Sequence, residues 1–459
     1  MTQKLSLLYL MLILGLSTIC AQKEMECKTK LSLLHQDVKV KNYDKAYEPW
    51  LFVYKNCPEL NRAIYADGEK ILEHKIKSTK GDVKLDFINM LLELWEKRKR
   101  HFSDTTPSGE YAAKACQLLY QHKDKLQTNE TALYNCFDIA FKNDSQTFTH
   151  PKSLYTYFSL IIDLFDEGKK TGSELFNSYD DINDKIDSEI QNYSEKLNAI
   201  IREFEKTGSL NKSEQNKKRA YESYLKNYTL IQNNIKALVD KRANCSNLIP
   251  LYTKDLDAYQ NDSIWLKRSV SRLYHKKCTE NELYEKLVRQ YDEVSPSADT
   301  KLFVATVLFQ KGKDEEAFKY LEEAYELETR PYKKSNMAIR IADIYKDKGR
   351  YSAARKYLLQ ALRLNPSNGK PHIVISQMYA KSAKDCGKDN YHKRAVFWLA
   401  AKEVKKASKV DPTLQEIANQ YEANYLAKAP SKEKGFILGT IGKTIKIECW
   451  INRSIVVPD

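Results

Sequence analysis

The stretch AIRIADIYKDKGRYSAARKYLLQALRLNP, from Ala338 to Pro366, leaves this chain few ways to fold. Its apolar and small residues keep a helical period on either side of a single break at Gly349. Ala342 and Ala354 are small where two antiparallel helices must cross, and Gly349 supplies the turn between them. Tyr345 and Tyr351 fill the space beside the crossing, Ala361, Leu362 and Leu364 continue the second helix, and Pro366 stops it. Such a helix–turn–helix of about 34 residues cannot bury its own apolar face, so it needs copies of itself stacked alongside.

The copies are present. Ala305, Gly312, Ala317 and Ala324 repeat the relative spacing of Ala342, Gly349, Ala354 and Ala361. A third unit runs from KPHIVISQMYAKSA to AVFWLAAKEVKKASKVDP, with Ala400, Ala407 and Pro412 in register and an expanded turn, KDCGKDNYHK, between its helices. Near the start, Tyr43, Ala46, Trp50 and Pro58 stand at the spacings of Tyr351, Ala354, Leu358 and Pro366. These residues resemble the tetratricopeptide repeat, which implies an all-α solenoid of helical hairpins with a groove lined by the first helix of each pair. On the C-terminal repeats, the outward positions of those first helices offer Asn336, Arg340, Asp343, Lys346, Asp347, Lys370, Gln377 and Lys381 as candidate partner-binding groups. That ladder lacks the Lys/Asn pattern that clamps a terminal carboxylate.

Between the two repeat regions the pattern changes. Tyr179, Ile182, Ile186, Ile190, Tyr193, Leu197, Ile200 and Phe204 step by threes and fours, the seam of a coiled coil. KTGSLNKSEQ breaks it, and Tyr221, Tyr224, Tyr228, Ile231, Ile235 and Leu238 resume the rhythm. An antiparallel helical hairpin projecting from the solenoid follows. The chain ends in GKTIKIECWINRSIVVP, where Ile445, Ile447 and Cys449, then Ile455 and Val457, alternate with polar residues as in a short β-hairpin. The expected organisation is a leader over 1–21, helical hairpins over 22–147, a coiled-coil arm over 148–242, repeats over 243–425 and an extension with the β-hairpin over 426–459. The stretch Ser103–Gly109 reads as a loop.

The first residues place Lys4 before an apolar run from Leu5 to Leu16 and then small or polar residues, a secretory signal. Bulky Ile19 argues against lipid attachment at Cys20, and no other segment is apolar enough to span a membrane. Without Cys20, eight cysteines remain, an even number in an exported chain. Cys27 opens one helix and Cys57 closes the next, and Cys245 and Cys278 repeat that arrangement. In an antiparallel hairpin each such pair is adjacent in space, and closing a loop of that size stabilises by roughly 3–4 kcal/mol. Cys116 and Cys136 sit on flanking helices and either pair or stay as buried thiols. Cys386 and Cys449 are left to join the expanded turn to the terminal hairpin. No CxxC occurs, so zinc is not expected.

The formal charge of +14 is spread along the helices. With no nucleic-acid-reading motif and an export signal, it reads as a solvated basic surface on a helical protein, with weak attraction to anionic envelope surfaces as the alternative. No GxSxG, P-loop, HExxH or dinucleotide fingerprint occurs, so neither catalysis nor a cofactor is expected. Acidic pairs such as Asp180–Asp181 and Glu315–Glu316 read as solvated helix faces. NYDKAYEPW, VYKNCPELN, CSNLIPLY, IWLKRSVSRL, CGKDNYHKRAVFWLAA and CWINRSIVVP together resemble a family of exported tetratricopeptide proteins of Gram-negative envelopes. The resemblance implies a periplasmic or outer-membrane-associated protein and brings no activity. The expected function is a non-catalytic scaffold or assembly factor for envelope proteins, with peripheral outer-membrane association. The alternative is a ligand or glycan sensor acting through the C-terminal hairpin, with Trp450 and Tyr391 as exposed aromatic contacts.

Overall fold

The structure is a computed structural model that describes residues 22–458, so the leader and Cys20 lie outside the described residues. The chain divides into two compact units, one ending at Lys169 and one beginning at Lys170. No helix among the described residues is long and apolar enough to cross a membrane.

The first unit is a series of helical hairpins. Helix α1 covers 22–39, followed by α2 (Tyr43–Asn56), α3 (Ala63–Ser78), α4 (Gly81–His101), α5 (Ser108–Gln121), the short α6 (Lys123–Leu126), α7 (Glu130–Asn143) and α8 (Pro151–Asp166). Leu34, Trp50, Val53, Ile64, Tyr65, Ile71, Leu72, Ile88 and Leu94 are its fully buried centre. Trp50 carries a polar edge into that centre and satisfies it by donating Nε1–H to the Ile64 carbonyl at 2.8 Å. The Cys27–Cys57 bond ties the start of α1 to the end of α2 with Cα atoms 6.4 Å apart. Cys116–Cys136 joins α5 to α7 at 5.8 Å.

Two sequence expectations are corrected here. Helix α8, assigned by sequence to the arm, packs within the first unit. Its Leu154, Tyr157, Phe158, Leu160, Ile161, Ile162 and Leu164 are all buried, which marks a core helix instead of a two-stranded seam. The expected loop at Ser103–Gly109 already contains the start of α5. Gly109 is the second residue of that helix, and a Cβ there would sit 2.2 Å from the Asp144 carbonyl oxygen, so the close approach of two backbones selects glycine.

The second unit opens with the two long helices of the arm, α9 (Gly172–Thr207) and α10 (Lys212–Asp240). Both begin with reciprocal capping boxes, Thr171 with Glu174 and Asn211 with Glu214. Gly208, at φ +72°, ends α9 in the left-handed conformation. The array follows as α11 (Cys245–Tyr259), α12 (Ser263–His275), α13 (Glu282–Val294), α14 (Ala298–Gln310), α15 (Asp314–Leu327), α16 (Pro331–Asp347), α17 (Tyr351–Leu364), α18 (Lys370–Lys381), α19 (Asn390–Val410) and α20 (Gln415–Lys428). Ala342, Ala354 and Ala361 are fully buried at the α16–α17 crossing. Tyr345 stacks between Phe318 and Tyr357 at 4.8 and 5.6 Å, carrying the aromatic filling from one repeat to the next. Cys245–Cys278 closes α11 against the end of α12.

A six-residue helix, α21 (Lys432–Ile437), precedes the antiparallel strands β1 (Thr444–Ile447) and β2 (Arg453–Val456), which pair Ile445 with Ile455. Alternation works as the sequence implies: Ile445, Ile447, Ile455 and Val457 are buried, while Thr444, Lys446, Ser454 and Val456 face out. Cys449 in the intervening turn bonds Cys386.

Candidate binding surfaces

The arm is where the second unit departs most from a simple array. Its seam forms as expected, with Ile182, Ile186, Leu197, Tyr228, Ile231 and Ile235 buried. Tyr193 stacks on Tyr224 at 4.5 Å across the two helices. The base of the arm does not stand clear of the array, however. Arg272 on α12 is 7% exposed and bonds Asp180 and the Tyr252 hydroxyl, with the Phe176 carbonyl at 3.3 Å. Its guanidinium also lies over the Phe176 ring at 4.7 Å. One turn earlier, Arg268 bridges Asp181 and Asp184, each at 2.8 Å. Burial pushes the Asp180 carboxyl up from its usual range, and Arg272 and Arg268 pull against that. Further along α9, Asn198 donates to Asn365 Oδ1 at 2.8 Å and accepts from the Ser367 amide at 3.1 Å. Arg202 reaches the Leu364 carbonyl at 3.5 Å.

Among the described residues, no hydrogen bond or ion pair ties the arm to the array between Glu203 and Asn216. Residues 202–209 are all exposed, with Phe204 half out in solvent. The arm is therefore clamped at its base and projecting at its tip. Asp180 corrects the expectation of a solvated acidic pair, since only Asp181 keeps a solvated side chain. The sequence signal for the clamp was two arginines, Arg268 and Arg272, one turn apart on a helix, with Asp180, Asp181 and Asp184 clustered on another.

The predicted groove ladder is largely spent within the fold. Asn336 is half-buried on α16. Arg340 donates to Asp299 at 2.7 Å and covers the Phe303 ring. Burial works against the charge on Asp299, yet Arg340 and then Lys267 hold its carboxyl below the ordinary value. Lys346 pairs with Asp343 at 2.9 Å and Asp347 at 3.7 Å, and Gln377 donates to the Tyr421 hydroxyl at 2.9 Å. Only Asp347, Lys370 and Lys381 of the eight are exposed, and Lys381 lies 5.9 Å over the Tyr351 ring. What remains open is a cleft of about 810 Å³ between the arm and α12, lined by residues that include Asp184, Asp187, Gln232, Lys236 and Lys267.

Residues 297–367, which include this ladder's first five members, match the family model described as tetratricopeptide repeat. The chain carries tetratricopeptide repeats. No curated protein matches it in sequence. Among solved structures, it is similar to the human IFIT1 dimer with PPP-AAAA, at 14% identity over 80% of this chain and 75% of that one, with a TM-score of 0.32. Yeast Tom70 is similar at 11% identity over 88% and 89%, TM-score 0.31. The Cut9–Hcn1 hetero-tetramer of the APC/C is similar at 14% over 89% and 98%, TM-score 0.29. At such scores the overlap carries no functional parallel.

The aromatic residues proposed for the end of the tetratricopeptide array are not free contacts. Trp450 donates Nε1–H to Ser382 at 2.9 Å and packs against Tyr351 and Tyr379, with Arg355 over its ring. The Tyr391 hydroxyl bonds Thr440 at 2.6 Å. Both rings fasten the C-terminal extension to the array, because a hairpin of two four-residue strands needs such support. Period-two patterning alone could not reveal which side a turn residue faces.

Proposed function

We propose that the chain is a non-catalytic protein-interaction scaffold, or assembly factor, of a bacterial cell envelope. It is exported to the periplasm or the periphery of the outer membrane, and it engages a protein partner through the tip of its arm. One observation carries the choice of surface. The arm is anchored by a buried ion pair and an asparagine ladder up to Arg202, and the residues that follow on α9, including Phe204 of the seam, are exposed. A strut held rigid at one end meets a partner with little ordering cost. The open end of a coiled-coil seam suits an added apolar helix face. The groove positions left exposed, Asp347, Lys370 and Lys381, are offered as secondary contacts. The export reading is supported by the leader pattern and by four disulfides in one chain.

The test is to replace Glu203–Asn216 with a short glycine-containing turn, which removes the tip beyond the last anchor. Crosslinking in intact cells is expected to recover a defined envelope protein with the full chain and to lose it with the shortened one, while the unfolding temperature stays the same. Equal recovery from both chains, or none from either, overturns the reading.

A further inference from the structure

The C-terminal extension carries a feature that the scaffold reading does not use. Phe436, Ile437 and Leu438 are 77%, 67% and 46% exposed. Among the described residues they are the only three consecutive large apolar side chains left in solvent. Single exposed apolar residues are ordinary, but a contiguous run of them marks an interaction site. The run is also fixed in place. Gly435, just before it, is buried against Ile441 and Val457, so one side of α21 is turned inward and the next three residues are turned out. Thr440 closes the turn after the run. Its amide and hydroxyl both bond the Gly435 carbonyl, at 2.9 and 3.2 Å, and the hydroxyl also meets Tyr391. Gly439, at φ +61°, permits the tight return. The Cys386–Cys449 bond fastens the hairpin behind it.

The charges around this tip are predominantly positive. Lys432, Lys434, Lys443 and Lys446 are exposed and form no ion pair among the described residues, while Glu433 and Glu448 are the carboxylates within the same stretch. An apolar tip with lysines on either side has the chemistry of an interfacial anchor. Side chains enter the boundary between headgroups and acyl chains, and ammonium groups stay among the phosphates. An acidic protein surface would match the lysines but would leave three apolar side chains without a preferred environment.

We propose that the Phe436–Leu438 tip, flanked by Lys432, Lys434 and Lys443, inserts into the interface of an anionic membrane and docks the protein there peripherally. The proposal goes beyond the scaffold reading, on which it depends only for placing the protein beside a membrane.

The test uses the full mature chain and flotation with vesicles of phosphatidylcholine, with or without phosphatidylglycerol. Binding is expected only to the vesicles containing phosphatidylglycerol. Phe436→Ser with Ile437→Ser is expected to lower the partition coefficient by roughly tenfold or more. Lys432→Gln, Lys434→Gln and Lys443→Gln together are expected to cause a similar loss and to weaken the salt dependence. All five side chains are exposed, so unchanged thermal unfolding confirms that the variants are folded. Three results would overturn the proposal: equal binding by the double-serine variant, which would make adhesion a matter of net charge; no vesicle binding by the full chain; or loss of a captured protein partner, with no lipid effect, in the serine variant. The chain shortened at the arm tip should bind vesicles as the full chain does, so failure at one site is distinguishable from failure at the other.

Discussion

Arg272 shows how one residue can set the position of an entire arm. Its guanidinium is almost wholly buried and answers to Asp180, Tyr252 and the Phe176 carbonyl, while its Nε finds no acceptor among the described residues. Removing one member of a buried pair strands the other charge in a poor dielectric. Arg272→Met should therefore cost about 3–5 kcal/mol of stability in urea unfolding. Adding Asp180→Leu should return at least half of that loss, because two apolar side chains can fill the site without an orphaned charge. A double variant as unstable as the single one would mean that packing against Phe176, not charge, holds the base of the arm. In the first unit, His150 gives a titratable counterpart. Burial, and then the charge of Lys114, holds its imidazole down at about 4. Its Nδ1 donates to Ser153, whose hydroxyl in turn bonds the Ala113 carbonyl. The unfolded chain takes up that proton near pH 6.5 and the native chain refuses it until about pH 4, so stability must fall as pH drops through this window. The loss should be about 2 kcal/mol after allowance for residual exposure, and His150→Asn should flatten it in unfolding curves taken at stepped pH.

At the scale of elements, the parts that were legible in sequence share one property: their pattern is set by contacts within a hairpin. Ala342, Gly349 and Ala354 announce their crossing because only small residues fit there, and the seam of α9 and α10 announces itself by its period. What stayed hidden depends on contacts between elements distant in sequence. Asn198 meets Asn365 and Ser367, Arg272 meets Asp180, and Trp450 meets Ser382, and no local period encodes such pairings. The same distinction explains part of the groove: Lys346 pairs with Asp343 and Asp347 of its own helix, which spacing shows, whereas Arg340 is taken up by Asp299, 41 residues away, which spacing does not. The terminal hairpin offers a direct test of an element held from outside. Arg355 donates to the Ile451 carbonyl at 2.5 Å, Trp450 plugs into the array, and Cys449 is bonded to Cys386. Replacing Cys386 and Cys449 with serine should speed amide exchange in β1 and β2 by roughly tenfold or more, with a much smaller change in α16 and α17. Uniform acceleration throughout the second unit would show that the hairpin is part of the array's core and not an appended element.

Four disulfides join residues 20, 30, 33 and 63 positions apart, two within each unit. Three of them close single hairpins, and the fourth secures the terminal extension. Repeat units contact mainly their neighbours, so a stapled hairpin stays formed even when the next unit frays. In the chain-entropy picture each closure limits the unfolded ensemble by about 3–4 kcal/mol. Those bonds persist only where the surroundings do not reduce them. The redox state of the protein taken directly from cells is therefore a measurement of where it resides. Alkylation at the moment of lysis, followed by peptide mapping without reductant, should find Cys27 joined to Cys57, Cys116 to Cys136, Cys245 to Cys278 and Cys386 to Cys449. Reduction of the isolated protein should then lower its unfolding temperature substantially. If the eight thiols are instead alkylated in the native protein, the chain resides in a reducing compartment. The envelope location would then fall, although the tetratricopeptide array and the clamped arm would stand.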